Sequence, residues 1–229
     1  MTAASETAPR TTVVFLLFPG ITQLDFTAPA QALSRMPGAR LIGAAATLDP
    51  IATDSGFSIV PTHDFASAPQ ADILCVPGGH GVTEALGDTA TIDFVARQAA
   101  GAQWVTSVCT GAFLLGRAGL LAGKRATTHW AYTHLLPLVG AEPVAARVVE
   151  DGRLVTSGGV TSGLDFALTL IARLHGDAVA QAIQLAIEYD PAPPFPGGHP
   201  DRAPESVTAG LKTRVYDAAA ARIEAALKS

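Results

Sequence analysis

Apolar positions in this chain fall in short unbroken runs that stop at glycine or proline. Val13-Val-Phe-Leu-Leu-Phe18 runs into Pro19-Gly20, and Asp72-Ile-Leu-Cys-Val76 into Pro77-Gly-Gly79. Trp104-Val-Thr-Ser-Val108 runs into Cys109-Thr-Gly111, and Leu41 to Ala46 is a further apolar segment. Runs this short, with β-branched and aromatic content, read as strands buried on both faces. Between them the pattern becomes helical. Helices are expected over Thr27–Arg35, Thr91–Ala100, Gly111–Ala118, Ala131–Val139, Ser162–Leu174 and Asp177–Glu188. Residues 51–62, broken by Asp54-Ser-Gly56, read as a hairpin, as do the segments flanking Asp151-Gly152.

Strands that alternate with helices imply an α/β fold. The expectation is a doubly wound, mainly parallel sheet flanked by helices, a flavodoxin-like sandwich with small hairpins. Such sheets bind ligands beyond the carboxyl ends of their strands, where Pro19-Gly20, Pro77-Gly-Gly79 and Cys109-Thr-Gly111 fall. Residues 1–11 read as a disordered leader and 12–190 as the α/β domain. Residues 191–229 read as a proline-rich arm and a C-terminal helix, packed on that domain or on a dimer partner. In the arm, Pro191 to Pro200, proline removes donors and favours extended backbone. The final helix is expected from Pro204 to about Leu227, with Val207, Leu211, Val215, Ile223 and Leu227 forming one apolar stripe.

Composition narrows the class. Of 229 residues, 48% are hydrophobic and only 15% charged. Such a chain buries a large core, and its sparse charge suits an oligomer better than a lone particle. The balance of 15 basic against 20 acidic residues, with no basic cluster, argues against nucleic-acid binding. No apolar run reaches membrane-spanning length, and the N-terminus lacks a signal-peptide pattern, so a cytoplasmic protein without membrane contact is expected. Two cysteines, Cys75 and Cys109, make neither a disulfide framework nor a CxxC motif.

The two cysteines differ in setting. Cys109 stands between a strand and a helix, where a sharp turn exposes a nucleophile and helix amides stabilise a thiolate. A buried structural thiol is the competing reading there, and for Cys75, inside its strand, it is the preferred one. Asp25 is the first charge after Arg10. A carboxyl group in apolar surroundings has a raised pKa and can act as a general acid or base. The competing role for Asp25 is a helix N-cap. Gly78-Gly79-His80-Gly81 could present amides to an anion, or could be a plain tight turn. Gly158 to Gly163 is a similar loop opening a helix. His80, His129 and His134 are candidates for a Cys–His pair. The five-residue spacing of His129 and His134 gives a metal site little support.

These segments resemble the ThiJ/PfpI branch of the class I glutamine amidotransferase-like superfamily, over about residues 12–190. Phe15-Leu-Leu-Phe-Pro19, Gln23-Leu-Asp-Phe-Thr27, Ser107-Val-Cys-Thr-Gly111, Arg125-Ala-Thr-Thr-His-Trp130, Ser157 to Gly163 and Glu188 to Phe195 are similar to the isocyanide hydratases of that branch. The resemblance implies a cofactor-free homodimer that adds water to a small apolar isocyanide, giving an N-substituted formamide. It implies Cys109 as nucleophile and Asp25 as its acid/base partner. Thr110 stands where the protease-like branch has histidine, which removes the usual Cys–His dyad. With Gly78, Gly79, His80 and Gly111, Thr110 is expected to orient water or substrate. Two other classes share parts of the pattern: ligand-sensing domains of AraC-type regulators, and glyoxalase- or stress-type members of the superfamily.

Overall fold

The computed structural model describes residues 10–229; most of the expected leader lies outside them. The strands of the main sheet are β1 (Thr11–Leu16), β2 (Ala39–Ala45), β5 (His63–Asp64), β6 (Ile73–Val76), β7 (Trp104–Val108), β10 (Val148–Asp151) and β11 (Leu154–Ser157). Two small ribbons pair β3 (Ile51–Ala52) with β4 (Ser58–Ile59), and β8 (Arg125–Ala126) with β9 (Glu142–Pro143). The helices are α1 (Gln23–Leu33), α2 (Val82–Gly87), α3 (Thr89–Gly101), α4 (Gly111–Arg117), α5 (Ser162–His175), α6 (Asp177–Ala186), α7 (Glu205–Leu211) and α8 (Asp217–Lys228).

The seven-stranded sheet has the order β10-β11-β7-β6-β1-β2-β5. All its pairs are parallel except β10 with β11 at one edge. From β2 to β11 the long parallel strands follow the flavodoxin-like order, which reverses between β1 and β6. Both faces of the sheet are covered, so central strands carry no polar alternation. Val13, Val14, Phe15, Leu16, Ile73, Leu74 and Cys75 are all buried in one core with Phe94, Phe113 and Phe166. The doubly wound sandwich expected from the pattern is the fold observed. No helix among the described residues is long and apolar enough to cross a membrane.

Three local expectations need correction. Helix α1 starts at Gln23, four residues before Thr27, so Pro29 lies inside it. Its first turn is capped from outside: Asp54 accepts the Thr22 hydroxyl at 2.7 Å and the Gln23 amide at 3.2 Å. Asp25 is therefore in the first turn and not an N-cap. Second, residues 130–139 form a 3₁₀ helix, Trp130–Val139, instead of an α-helix, with Pro137 inside it. Third, the C-terminal helix is not continuous. A π-helical turn, Lys212–Tyr216, separates α7 from α8. The wider turn breaks the four-residue repeat. Ile223 is buried against the body, but Val207, Leu211 and Val215 are exposed. The arm before it is exposed along nearly its whole length, Phe195 included.

Candidate active site

The chain reversals after β1, β6 and β7 meet at the carboxyl edge of the sheet, beside the point where strand order reverses. Each contributes one part of a site. The first brings Asp25 on α1, the second Gly78 and Gly79, and the third Cys109 and Thr110.

Cys109 sits in the left-handed region, with φ of 55°. A non-glycine residue there is uncommon, and the surroundings hold it in place. Its amide donates to Ser157 O at 3.1 Å and Gly158 O at 2.9 Å. Its carbonyl accepts the Thr128 hydroxyl at 2.6 Å. The turn aims the thiol away from the strand, 7% exposed, beside the Asp25 carboxyl. Burial pushes the thiol pKa well up, and the Asp25 charge pushes it further. The Thr110 amide, the Thr110 hydroxyl and the Val160 amide act in the opposite direction. Val160 itself has a φ of 24°, a second strained residue facing the sulfur.

Asp25 is completely buried. Its Oδ2 accepts the Gly78 amide at 3.0 Å, while Oδ1 has no complete hydrogen bond. Burial raises its pKa from 3.8 to about 7, against the lowering effects of the Gly78 amide and the Cys109 thiol. The charge of Asp54, the cap of α1, adds to the rise. Within its own helix, Pro29 has no N–H to offer the Asp25 carbonyl four residues back, which loosens the ladder there. The carboxyl group thus titrates near neutrality, where a group can both take and return a proton.

Thr110 connects two parts of the site. Its Oγ1 accepts the Gly79 amide at 3.0 Å and lies 3.3 Å from Gly79 O. The single hydroxyl hydrogen therefore has two acceptors, Gly79 O and the Cys109 sulfur. Gly111 has a packing role: a Cβ there would run into the Val76 and Pro77 carbonyls. It lets α4 start hard against the end of β6.

His80 is placed differently from the rest. It is exposed and lines a separate cavity of about 680 Å³ with Leu17, Phe18, Ile51 and Phe65. None of Asp25, Cys109 or Thr110 lines that cavity. His129 is near the site but is held neutral, its pKa pushed down to about 4 by burial. Its Nδ1 accepts the Ala131 amide at 3.3 Å, so it serves as the cap of the 3₁₀ helix. Cys75 is buried in β6, with its thiol pushed up to about 12.

Reading by residue type missed two groups. The amide of Val160 carries no side-chain signal. Tyr132 and Tyr216 form a ring cluster with His129 and Trp130, and both feel the charge of Cys109. The Arg125 to Trp130 motif lies just before Tyr132, but nothing local marks Tyr216.

A doubly wound sheet with a strained cysteine at the end of a central strand, paired with a buried carboxyl group, defines a class of cysteine-centred α/β proteins. The chain belongs to the DJ-1/PfpI family, whose model matches residues 11–173. It is 48% identical to the isonitrile hydratase of Pseudomonas putida over 219 residues, covering 91% of this chain and 96% of that one. Among solved structures it is similar to a THiJ/PfpI family protein from Pseudomonas syringae, with 36% identity and a TM-score of 0.94. That match covers 100% of this chain and 98% of the other. It also shares 32% identity over 139 residues with the HTH-type transcriptional regulator GbdR of Pseudomonas aeruginosa. That likeness spans 59% of this chain and only 37% of the regulator.

Proposed function

We propose that this chain is a hydro-lyase that hydrates isocyanides to N-substituted formamides, with Cys109 as nucleophile and Asp25 as proton carrier. The observation that carries the reading is the side-by-side placement of a strained thiol and a carboxyl group that titrates near pH 7. The likeness to an isonitrile hydratase over nearly the full length of both chains supports the substrate class.

The steps balance with no other reactant than water. The ionised Asp25 carboxylate takes the thiol proton as Sγ attacks the terminal carbon of R–N≡C. The new bond leaves an electron pair on that carbon, and Asp25 returns the proton to it. The product is an S-linked thioformimidate, R–N=CH–S. Water then adds to the same carbon, giving one proton to nitrogen through Asp25. The resulting R–NH–CH(OH)–S collapses with loss of the thiolate. The hydroxyl proton returns through Asp25 to sulfur, and R–NH–CHO leaves.

The Thr110 amide, the Thr110 hydroxyl and the Val160 amide stabilise negative sulfur in the first and last steps. The Pro77–Gly79 loop acts on the reaction through Asp25 and Thr110. The low dielectric of the site suits an uncharged, apolar substrate.

The working unit we infer is a homodimer, in the cytoplasm. Among the described residues, five of the ten large exposed apolar ones, Leu185, Phe195, Val207, Leu211 and Val215, lie in the C-terminal part of the chain and would be covered in a dimer. On this reading residues 191–229 serve one α/β domain and its partner rather than a second fold. Both cysteines are free thiols, as a reducing compartment requires.

The test is turnover of an aryl and an alkyl isocyanide, followed as formamide release, by the wild type and Cys109→Ala. Formamide from the wild type alone is expected. Retained turnover by Cys109→Ala would remove the covalent route.

A further inference from the structure

The aromatic cluster near Cys109 takes three of its four rings, His129, Trp130 and Tyr132, from the family domain and the fourth, Tyr216, from beyond it. Tyr216 is the last residue of the π-helical turn that joins α7 to α8, beyond the 11–173 span of the family match. Its ring centroid lies 5.0 Å from His129, 5.2 Å from Trp130 and 5.8 Å from Tyr132. It meets the last two edge to face, at 79° and 89°. A regular α-helix would place residue 216 one step earlier in the turn. The π insertion rotates Tyr216 inward while Val215 stays outside. Such single π turns are conformationally costly and concentrate at functional sites.

Two more observations tie these rings to the reaction centre. Thr128, next to His129 in the chain, donates its hydroxyl to Cys109 O at 2.6 Å, and the Cys109 charge raises the pKa of both Tyr132 and Tyr216 after the larger effect of burial. Neither hydroxyl has a hydrogen-bond partner among the described residues, and neither oxygen is a fully buried orphan. By contrast the third tyrosine, Tyr189, donates to Asp165 at 3.2 Å. Tyr132 and Tyr216 thus keep their hydroxyls unspent near Cys109. Their neighbour His129 is neutral and cannot attract a charged group.

We propose that Tyr216, with Tyr132, forms the receiving surface for the substituent on the isocyanide nitrogen and selects flat aryl groups over small alkyl ones. This rests on the hydratase reading. An isocyanide is linear and the thiolate adds to its terminal carbon from the side, so the substituent extends past the sulfur toward whatever stands beside it. A flat ring there meets aromatic edges and faces, an arrangement worth more than its buried area alone. A short alkyl chain gains only contact area. On this account the C-terminal segment is a specificity element of the active site, and Tyr216 is its specificity-determining residue.

The experiment compares the wild type, Tyr216→Phe, Tyr216→Leu and Tyr216→Ala on phenyl and ethyl isocyanide. Circular dichroism and thermal melts check that each variant is folded. Tyr216→Ala is expected to lose about tenfold more kcat/KM on the phenyl than on the ethyl substrate, mainly through KM. Tyr216→Leu should lose nearly as much of the preference, and Tyr216→Phe, which keeps the ring, should keep most of it. Equal losses on both substrates would overturn the proposal.

A second arm does not depend on hydration. Cys109 is alkylated with iodoacetamide and with N-phenyl iodoacetamide, which share an electrophile and differ in the ring. Tyr216→Ala should lower the phenyl-to-unsubstituted rate ratio about fivefold. An unchanged ratio overturns the aromatic surface even if isocyanides are turned over. A lowered ratio in a protein that hydrates no isocyanide supports the surface and overturns the hydratase reading instead.

Discussion

Asp25 Oδ2 accepts the amide of Gly78 at 3.0 Å, and the next amide in the loop, Gly79, reaches Thr110 Oγ1 at the same distance. Two consecutive N–H groups thus set the Asp25 carboxyl on α1 and the residue after Cys109 in one frame. The approach leaves no room for a side chain. A Cβ on Gly78 would lie 2.6 Å from both Thr110 N and Thr110 Oγ1, and 3.0 Å from Asp25 Oδ2.

Gly78→Ala should therefore damage the site more than the fold. The rest of the loop is pinned by Thr22 N donating to Gly78 O at 2.9 Å, so the strain falls on Asp25 and Thr110. A loss of about 2 kcal/mol in stability is expected. A displacement near 1 Å at the reacting groups should cost about a hundredfold in kcat/KM. Urea midpoints and formamide release measure the two separately.

The acid limb of the rate profile should belong to Asp25. The carboxyl group must be ionised to take the thiol proton, and its pKa is about 7. Below that value kcat/KM should fall about tenfold for each pH unit. Asp25→Asn should remove this limb and reduce the rate by roughly a thousandfold. A profile flat from pH 5 to 8 in the wild type would take Asp25 out of the proton path.

The same residue should cost stability at high pH. The native carboxyl stays protonated up to about pH 7, whereas the unfolded one ionises near its usual 3.8. Between those values the native state binds more protons, so stability falls as pH rises through the window and levels off above it. Three units correspond to about 4 kcal/mol as an upper figure. Asn keeps an acceptor for Gly78 and stays neutral. Asp25→Asn should gain about 2 kcal/mol over the wild type at pH 8 and nothing at pH 4. Thermal melts across pH check the crossing.

The sheet was readable because burial on both faces writes continuous apolar runs, and each run ends at a visible breaker. Cys109 was readable for the same reason, since a strand end followed by Thr-Gly marks a turn. The start of α1 was not, because its cap, Asp54, lies 32 positions from Thr22 and no local pattern reports it. Pro29 then suggested a start where the helix was already running. The C-terminal stripe failed for a related reason. Val207, Leu211 and Val215 keep a four-residue repeat, but the π turn shifts the phase before Ile223, and only Ile223 of these is buried. His80 shares a short motif with Gly78 and Gly79, yet chain direction after Gly79, with φ of 141°, carries it to the cavity it shares with Leu17 and Phe65.

Alkylation separates the two thiols and tests the electrostatics around the reactive one. Cys75 is 2% exposed inside β6, and burial pushes its thiol to about 12, so it should stay unlabelled in the folded protein. Cys109 is also raised by burial, but it keeps 7% exposure and its thiolate has the Thr110 amide, the Thr110 hydroxyl and the Val160 amide. One equivalent of iodoacetamide should therefore enter, at Cys109, as peptide mass spectrometry would locate it. Thr110→Val removes the hydroxyl and should slow labelling about threefold at pH 8. Asp25→Asn should have the opposite effect. The ionised carboxylate disfavours a second negative charge beside it, so its removal lowers the thiol pKa and should speed labelling at pH 8 about threefold. A variant that alkylates faster while hydrating far more slowly would separate the two roles of Asp25. Its charge opposes a standing thiolate, and in the proposed mechanism its proton transfer carries the reaction. Slower labelling in Asp25→Asn would instead mean that the carboxylate deprotonates Cys109 before any substrate arrives.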